Sequence, residues 1–482
     1  MEFPKETPYL RRVRIFKQTL MFLASSWGYL SGGMSLTWPN VLASDILVDN
    51  STLFGTQLSL SDSQLDMVGS MMFVGSLPGY VAAGWLVRAI GRRRSMMLAA
   101  VPGLAGSLSI ALALNTEMIL VGRFLEGTSY GMMGVAVRPY IVEVADTDIR
   151  GSAVVVANIL LQIGSISAVS LGIPFKWYQV SFFSCAVHAM YGLLLVPLLP
   201  ESPTFLAVTN KDEKAKGVLH RLRGTSVDVE GVLSDLKKQN ESVGNAASWR
   251  VLVRPAVLRQ ELILFGLFLV SNFSGVEVIK ANTSRILQSA GVSLDMEVST
   301  IMVAGVLFCG NFSMMLLLDR AGRRRCLMLS LSLLVVGYCI LGAFVFLSTR
   351  PTDSLAAPEL TVAVEANASV AYYTGAVSTQ RTTWDWVPLA SLMLAAYGQA
   401  LGSGPIPWIL SSEYFPTSIR SQAMGLCTLI GSLQSFAALQ LFSPMQTVLT
   451  PAGLYWFYAC VGAVGLPYAF LFVRETKGKS VG

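Results

Sequence analysis

The chain has 482 residues, of which 53% are hydrophobic and only 13% charged, with a mean hydropathy of +0.57. A soluble globular protein carries about 25% charge, so this composition excludes an ordinary soluble domain. The net charge of +6 is confined to particular loops, which excludes a nucleic-acid partner.

Apolar runs near 20 residues, the length that spans a bilayer as a helix, fall at 17–39, 64–86, 95–115, 117–138, 151–172, 178–199, 260–281, 297–318, 326–347, 385–410, 421–443 and 453–473. Lipid offers open backbone groups no partners, so each run is expected to be helical. The expected fold is an all-α membrane protein of twelve transmembrane helices. Lys5, Arg11, Arg12, Arg14 and Lys17 precede the first run, Arg92 to Arg94 follow the second, and Arg150 follows the fourth. Further basic residues lie in 200–259, at Arg323 to Arg325, and at Lys477 and Lys479. The positive-inside rule places all of these, and both termini, in the cytoplasm. The first run then reads as a signal-anchor rather than a cleaved leader. The opposite loops, 42–63 and 348–384, hold only Arg350 and Arg381 as basic residues. They also carry the sequons beginning at Asn50 and Asn367, the candidate glycosylation sites. All six cysteines lie in or beside apolar runs, which favours buried small residues over a disulfide framework or a zinc site. No metal and no cofactor is expected.

The polar segment 200–259 separates six runs from six, giving an N-terminal bundle over 1–199, a cytoplasmic linker with short helices over 200–259, and a C-terminal bundle over 260–482. A flexible solvated linker stays open for the middle segment. The halves repeat: Arg88-Ala89-Ile90-Gly91-Arg92-Arg93-Arg94 returns as Asp319-Arg320-Ala321-Gly322-Arg323-Arg324-Arg325. Gly91 to Glu143 is 52 residues and Gly322 to Glu413 is 91, and the excess of 39 nearly matches the long loop before the tenth run. Arg150 and Arg420 each follow their glutamate by seven residues. Two six-helix halves related by an axis along the membrane normal are a transporter plan, with substrate bound near the midplane between them.

These residues resemble the sugar porter family of the major facilitator superfamily over nearly the whole chain. The marks are the Gly-Arg-Arg turns, Gly122-Arg123 with Gly127, Tyr140 with Glu143 and Arg150-Gly151, and Pro200-Glu201-Ser202-Pro203. To these add Gly404-Pro405-Ile406-Pro407-Trp408, Glu413 with Arg420, and Glu475-Thr476-Lys477-Gly478. Within the family the chain is most similar to the arthropod facilitated trehalose transporter-like branch. The first turn departs from the pattern, with Arg88 where an acidic residue is expected; the second keeps Asp319.

The resemblance and the paired spacing imply a cytoplasmic gate in which carboxylates face guanidinium groups. Arg92, Arg93, Glu143 and Arg150 form its first-half set, joined by Arg123. Asp319, Arg323, Arg324, Glu413 and Arg420 form the second. The alternative is that these arginines only fix topology.

A sugar pocket takes amide and hydroxyl groups for hydrogen bonds and an aromatic plate for the ring face. Trp408, after the helix-breaking Gly-Pro-Ile-Pro run, is the expected plate. The family's amide positions fall on or beside Asn158, Gln162, Asn272, Asn311 and Gln434. Each of these can equally pair between helices without binding anything. Ser271 and Glu277 do not match the family's seventh-span amide run. Glu277 and Lys280, three apart, can pair on one helix face, and a charge at this depth points into a cavity or at a partner. A later start of that helix, with both residues among lipid headgroups, is the competing reading.

Proton-coupled relatives carry a carboxylate in the first span, whereas no Asp or Glu occurs from Lys17 to Asn40 here. The expectation is therefore facilitated diffusion of a hexose or trehalose across the plasma membrane by a monomer. Glu126 and Glu277 keep proton symport open. The Glu277–Lys280 pair keeps open a carrier of another small polar or ionic solute. The altered seventh-span run keeps open a non-transporting sugar sensor. No enzyme is expected: His188 and His220 have no partner motif.

Overall fold

The computed structural model describes residues 8–145, 150–223, 229–231, 233–234, 254–290, 292, 296–348, 384, 386–415 and 419–475. In the first half α1 spans Pro8–Val48, α2 Asp62–Ala89, α3 Arg92–Ala111, α4 Thr116–Val144 and α5 Arg150–Gly172. Helix α6, Trp177–Ala189, continues as a π turn over Met190–Leu195 and a 3-10 turn over Val196–Leu198. Two short helices follow, α7 at Pro203–Val208 and α8 at Asp212–Arg223. In the second half the seventh pass is split into α9, Pro255–Phe273, and α10, Val276–Ser289. Helix α11 covers Met296–Ala321 and α12 covers Arg323–Ser348. The tenth pass consists of α13, Val387–Gly398, a π turn at Gln399–Ser403 and α14, Ile406–Glu413. Helix α15, Arg420–Gln440, and α16, Phe442–Phe472, complete it.

These elements make the twelve passes expected. Eight of them are long and apolar enough to cross a membrane by that criterion alone. Three of the remaining four fall short for visible reasons. Helix α4 carries Arg123, Glu126 and Arg138. The tenth pass is broken by its π turn, and the described apolar stretch of α5 is the shorter Val156–Gly172. Helix α1 has 41 residues, about 62 Å at 1.5 Å per residue, and so runs past both faces of a 30 Å hydrocarbon layer. The sequence places only 17–39 of it in lipid.

The helix starts at one end of the bundle carry their own caps. Ser61 accepts from the Gln64 amide while Gln64 returns a bond to the Ser61 amide, and Asn115 caps α4 through the Met118 amide at 2.9 Å. At the other end α3 and α12 start at Gly91 and Gly322 without a local cap. Both glycines have a positive φ, +93° and +87°, which a side chain would strain. We call this the basic end and the opposite one the far end.

The duplication is visible in the packing. Helix α1 lies against α5, α2 and α3 against α4, and α3 against α6. The counterparts α9 with α15, α11 and α12 with α13, and α12 with α16 repeat the arrangement. Each half has its own apolar cores: Met133, Tyr140 and Tyr191 belong to one in the first half, Tyr338, Leu392 and Tyr455 to one in the second. In the first half, backbones touch. A Cβ on Gly33 of α1 would lie 1.8 Å from the Leu161 carbonyl oxygen of α5, and one on Gly164 of α5 1.9 Å from that of Leu30. The halves meet along α2 with α15, α5 with α11, and α1 with α10.

Helix α8 docks on the first half, where the Gln18 amide donates to the Leu222 carbonyl at 3.0 Å. The loop after α1 is folded, with an antiparallel bridge between Ser51 and Gln57. Asn50 is half-buried there, and Thr52 is buried with its hydroxyl bonded to Thr56. Asn367 lies outside the described residues.

Candidate functional site: two basic clusters, a far-end latch and a central seam

The basic turns position two matching clusters. In the first, Arg92 Nη2 pairs with Glu143 at 2.9 Å, and Glu143 also accepts from the Ser202 hydroxyl. Glu201 takes the place of the missing helix cap: its Oε1 accepts the Arg92 and Arg93 amides at 2.9 and 3.1 Å. A carboxylate there also faces the positive end of the α3 dipole. Arg93 reaches the Pro197 carbonyl, and Tyr140 donates to that of Pro200 at 3.0 Å. The second cluster repeats the ion pair, the carboxylate cap and the arginine-to-carbonyl bond. Arg323 pairs with Glu413 at 2.9 Å, Glu475 accepts the Arg323 and Arg324 amides at 3.0 and 3.2 Å, and Arg324 reaches the Phe470 carbonyl. The Tyr414 hydroxyl accepts the Arg474 amide at 3.0 Å. Among the described residues these pairs each close within one half. The side chains of Arg150, Asp319 and Arg420 lie outside the described residues. Sequence reasoning quoted Glu201 and Glu475 as motif residues without assigning them the cap; their equal place after each half's last helix is the signal.

Arg123 stands elsewhere. It lies 20 residues before Glu143 on one helix, about 30 Å away. It is buried near the far end, donating to the carbonyls of Val68 and Ser35 at 3.0 and 2.7 Å and pairing with Glu126 at 3.0 Å. Glu126 accepts from Ser107 at 2.8 Å, and Ser107 lies 3.4 Å from His188 Nδ1.

The far end holds a latch the sequence did not reveal. Arg285 of α10 crosses to α2, with Nη1 2.6 Å from Asp66 and Nη2 3.1 Å from Asp62. It also donates to Asn282 and Ser443, and its guanidinium lies 5.0 Å from the Phe442 ring centroid. Asp66, fully buried, takes the Ser443 amide at 2.8 Å as well. Beside it Asn40 of α1 donates to the Lys280 carbonyl at 2.6 Å and accepts from the Ser284 amide at 3.2 Å. Outside this latch, a cavity of about 210 Å³ opens among Asn40, Asp45, Lys176, Glu297 and Thr300. It contains none of the expected pocket residues.

At mid-depth, the tenth pass breaks as its Gly-Pro-Ile-Pro run implies. The π turn before it frees backbone groups, and serines recover them: Ser330 donates to the Gly398 carbonyl and accepts the Ser403 amide, while Ser271 donates to the Ser403 carbonyl at 2.6 Å. Ser271, a departure from the family's amide run, thus has a structural use. Trp408 stands edge-on to Phe268, centroids 4.7 Å apart. Asn272 is buried and tied at both ends to α15, donating to Gly431 at 3.4 Å and accepting from Ser435 at 2.8 Å. Trp408 and Asn272 both reach Gly431: the indole lies 3.2 Å from where a Gly431 Cβ would be, and Asn272 holds its carbonyl.

Gln434 donates to the Phe265 carbonyl at 3.4 Å, with its carbonyl oxygen unpartnered among the described residues. Asn311 bonds back to the Leu307 carbonyl of its own helix. Asn158 and Gln162 are half-buried on α5. Glu277 and Lys280 pair at 2.9 Å inside α10, with side chains 13% and 22% exposed. A buried amide not singled out from sequence, Gln399 in the π turn, also has an unpartnered carbonyl oxygen among the described residues.

The family model described as "Sugar (and other) transporter" matches residues 31–481. The facilitated trehalose transporter Tret1 of Culex quinquefasciatus is 28% identical over 481 residues, covering 99% of this chain and 86% of that protein. The facilitated trehalose transporter Tret1-2 homolog of Drosophila sechellia is 28% identical over 417 residues, covering 86% and 80%. The chain spans about half the length of other relatives it matches, 52% for trehalose transporter 1 of Drosophila melanogaster. Among solved structures, a partially occluded inward-open form of the xylose transporter XylE from E. coli superposes with a TM-score of 0.73 at 19% identity, covering 96% of this chain and 99% of that one.

Proposed function

This chain belongs to the sugar (and other) transporter family, and from that premise we propose that it is a facilitative carrier of a hexose or trehalose, working by alternating access. In this reading the basic end faces the cytoplasm of a plasma-membrane monomer, and the units 1–199 and 260–482 rock about the seam. One observation carries it: among the described residues, the far-end polar contacts of Arg285 and Asn40 cross between the halves, whereas the basic-end pairs each close within a half. Such an arrangement fastens the far-end mouth through contacts that cross the seam. Mouths that open in turn need contacts of modest net strength, since the two states must stay nearly balanced. The gate residues then act first as braces that keep each lobe's basic end intact.

Uniport is favoured by the surroundings of Arg123. The first span meets it with the Ser35 carbonyl, and its carboxylate partner, Glu126, is on its own helix. Proton symport has one observation in its favour, the buried Glu126–Ser107–His188 chain. Counterflow uptake in liposomes with labelled mono- and disaccharides, with and without a pH gradient, tests both. Exchange without accumulation supports uniport, accumulation driven by the gradient supports symport, and no movement of any sugar refutes the carrier reading.

A further inference from the structure

The central seam holds a cation that the proposed sugar reading does not use. Arg138 lies on α4, two turns or less from the basic-end cluster of Glu143. It is not fully buried, and its guanidinium lies 5.8 Å from the Tyr29 ring centroid. Its electrostatic neighbours are three phenols, Tyr29 of α1, Tyr80 of α2 and Tyr130 of α4. Tyr29 and Tyr130 stand edge to face, 6.4 Å apart. Tyr80 looks across to the other half, its hydroxyl accepting from Ser432 of α15 at 3.5 Å. Arg138 therefore stands at the seam where the lobes face each other.

Two other cations at the seam each have a carboxylate. Lys280 has Glu277, and Arg285 has Asp62 and Asp66. Among the described residues no carboxylate forms an ion pair with Arg138, and a neutral phenol does not cancel its charge. A guanidinium at membrane depth is costly unless it is paired, and it marks a functional position by default. It also cannot shed its proton to escape that cost. A partner that arrives with the solute removes the difficulty.

We propose that Arg138 is a substrate-binding residue that receives one anionic group, a carboxylate or phosphate, carried on a polyhydroxylated solute. The planar fork of the guanidinium suits either group bidentately, while Tyr29, Tyr80 and Tyr130 offer ring faces and hydroxyls to the rest of the molecule. This inference rests on the carrier reading and replaces its uncharged hexose or trehalose with a sugar bearing a single acid group. Glu277, already held by Lys280, does not compete for Arg138.

Calorimetric binding to the purified full chain tests it with D-glucose, D-glucuronate and D-glucose 6-phosphate. The wild type should bind one of the anions at least about tenfold more tightly than glucose, a difference of roughly 1.4 kcal/mol. Arg138→Gln should abolish that preference, bringing the anion affinities down to that of glucose for the same variant, while Arg138→Lys keeps part of it. The ranking of the two anions separates carboxylate from phosphate. Anions that bind no better than glucose, or a preference that survives in Arg138→Gln, overturn the proposal. Counterflow uptake of the same three solutes runs beside it: movement of none of them strikes the carrier reading, and the binding ratio still decides the site.

Discussion

Asp66→Asn is the sharpest probe of the far-end latch. The Asp66 side chain is fully buried and receives the Arg285 guanidinium at 2.6 Å and the Ser443 amide at 2.8 Å. Breaking a buried pair by removing one partner costs about 3–5 kcal/mol, because the remaining charge is left uncompensated. Arg285 would keep Asp62, but that side chain is 75% exposed, and an exposed partner contributes only about 0–1 kcal/mol. The low end, about 3 kcal/mol, is the appropriate figure. It falls on the latched state alone, since separated lobes have no such pair to lose. At 1.4 kcal/mol per factor of ten, the latched-to-open ratio drops on the order of a hundredfold. A cysteine at Gly69 reports this, because a Cβ there lies 3.8 Å from Ala281 within the seam between α2 and α10. Maleimide should label Gly69→Cys slowly, and much faster when Asp66→Asn is added. The double exchange Asp66→Arg with Arg285→Asp should recover part of the protection. Equal labelling rates with and without Asp66→Asn would refute the latch.

Other outcomes follow from the same geometry. Gly322→Ala forces a side chain into positive φ and places its Cβ 2.4 Å from a Glu475 oxygen. It should lower the melting midpoint in detergent, by a cost of about 1–3 kcal/mol, whereas Gly305→Ala, whose Cβ meets open space, should not. Asn272→Ala strips two hydrogen bonds between the seventh and eleventh passes. A thermal-shift loss without a change in sugar affinity would mark it as a brace, and a loss of affinity as a ligand. Lys176 holds the Asp49 carboxyl down to about 2, and Asp49 in turn raises the Lys176 ammonium. A depressed carboxyl keeps its contribution above the unfolded value near 4 and loses it only as pH falls through about 2. The raised lysine keeps its own below about pH 10. Protease nicking of the 49–60 loop should therefore be flat from about pH 4.5 to 9.

The sequence made the repeat legible because the two Gly-Arg-Arg turns are short, local and nearly identical. It also made the tenth-pass break legible, through Gly404, Pro405 and Pro407. It did not disclose the partners that lie far along the chain. Glu201 reaches back 109 residues to Arg92, and Arg285 reaches 219 residues to Asp66, and no spacing rule connects such positions. The seventh pass was read as one run because its apolar content is continuous, and the break after Phe273 costs no hydrophobicity. Arg123 was drawn toward the basic turns by its charge, although its place near the start of α4 puts it at the other end. Arg138 was passed over because nothing local to it signals a role; only the three phenols gathered from three helices do.

The backbone contact between α1 and α5 has a further meaning. Helices that press carbonyl against glycine cannot slide past one another, so α1 and α5 turn as one piece. Joints lie in both lobes: the π turn that ends α6 in the first, and the interruption between α9 and α10 and the π turn ahead of α14 in the second. Bending is thus confined to these interruptions, while pairs held glycine to carbonyl turn as single pieces.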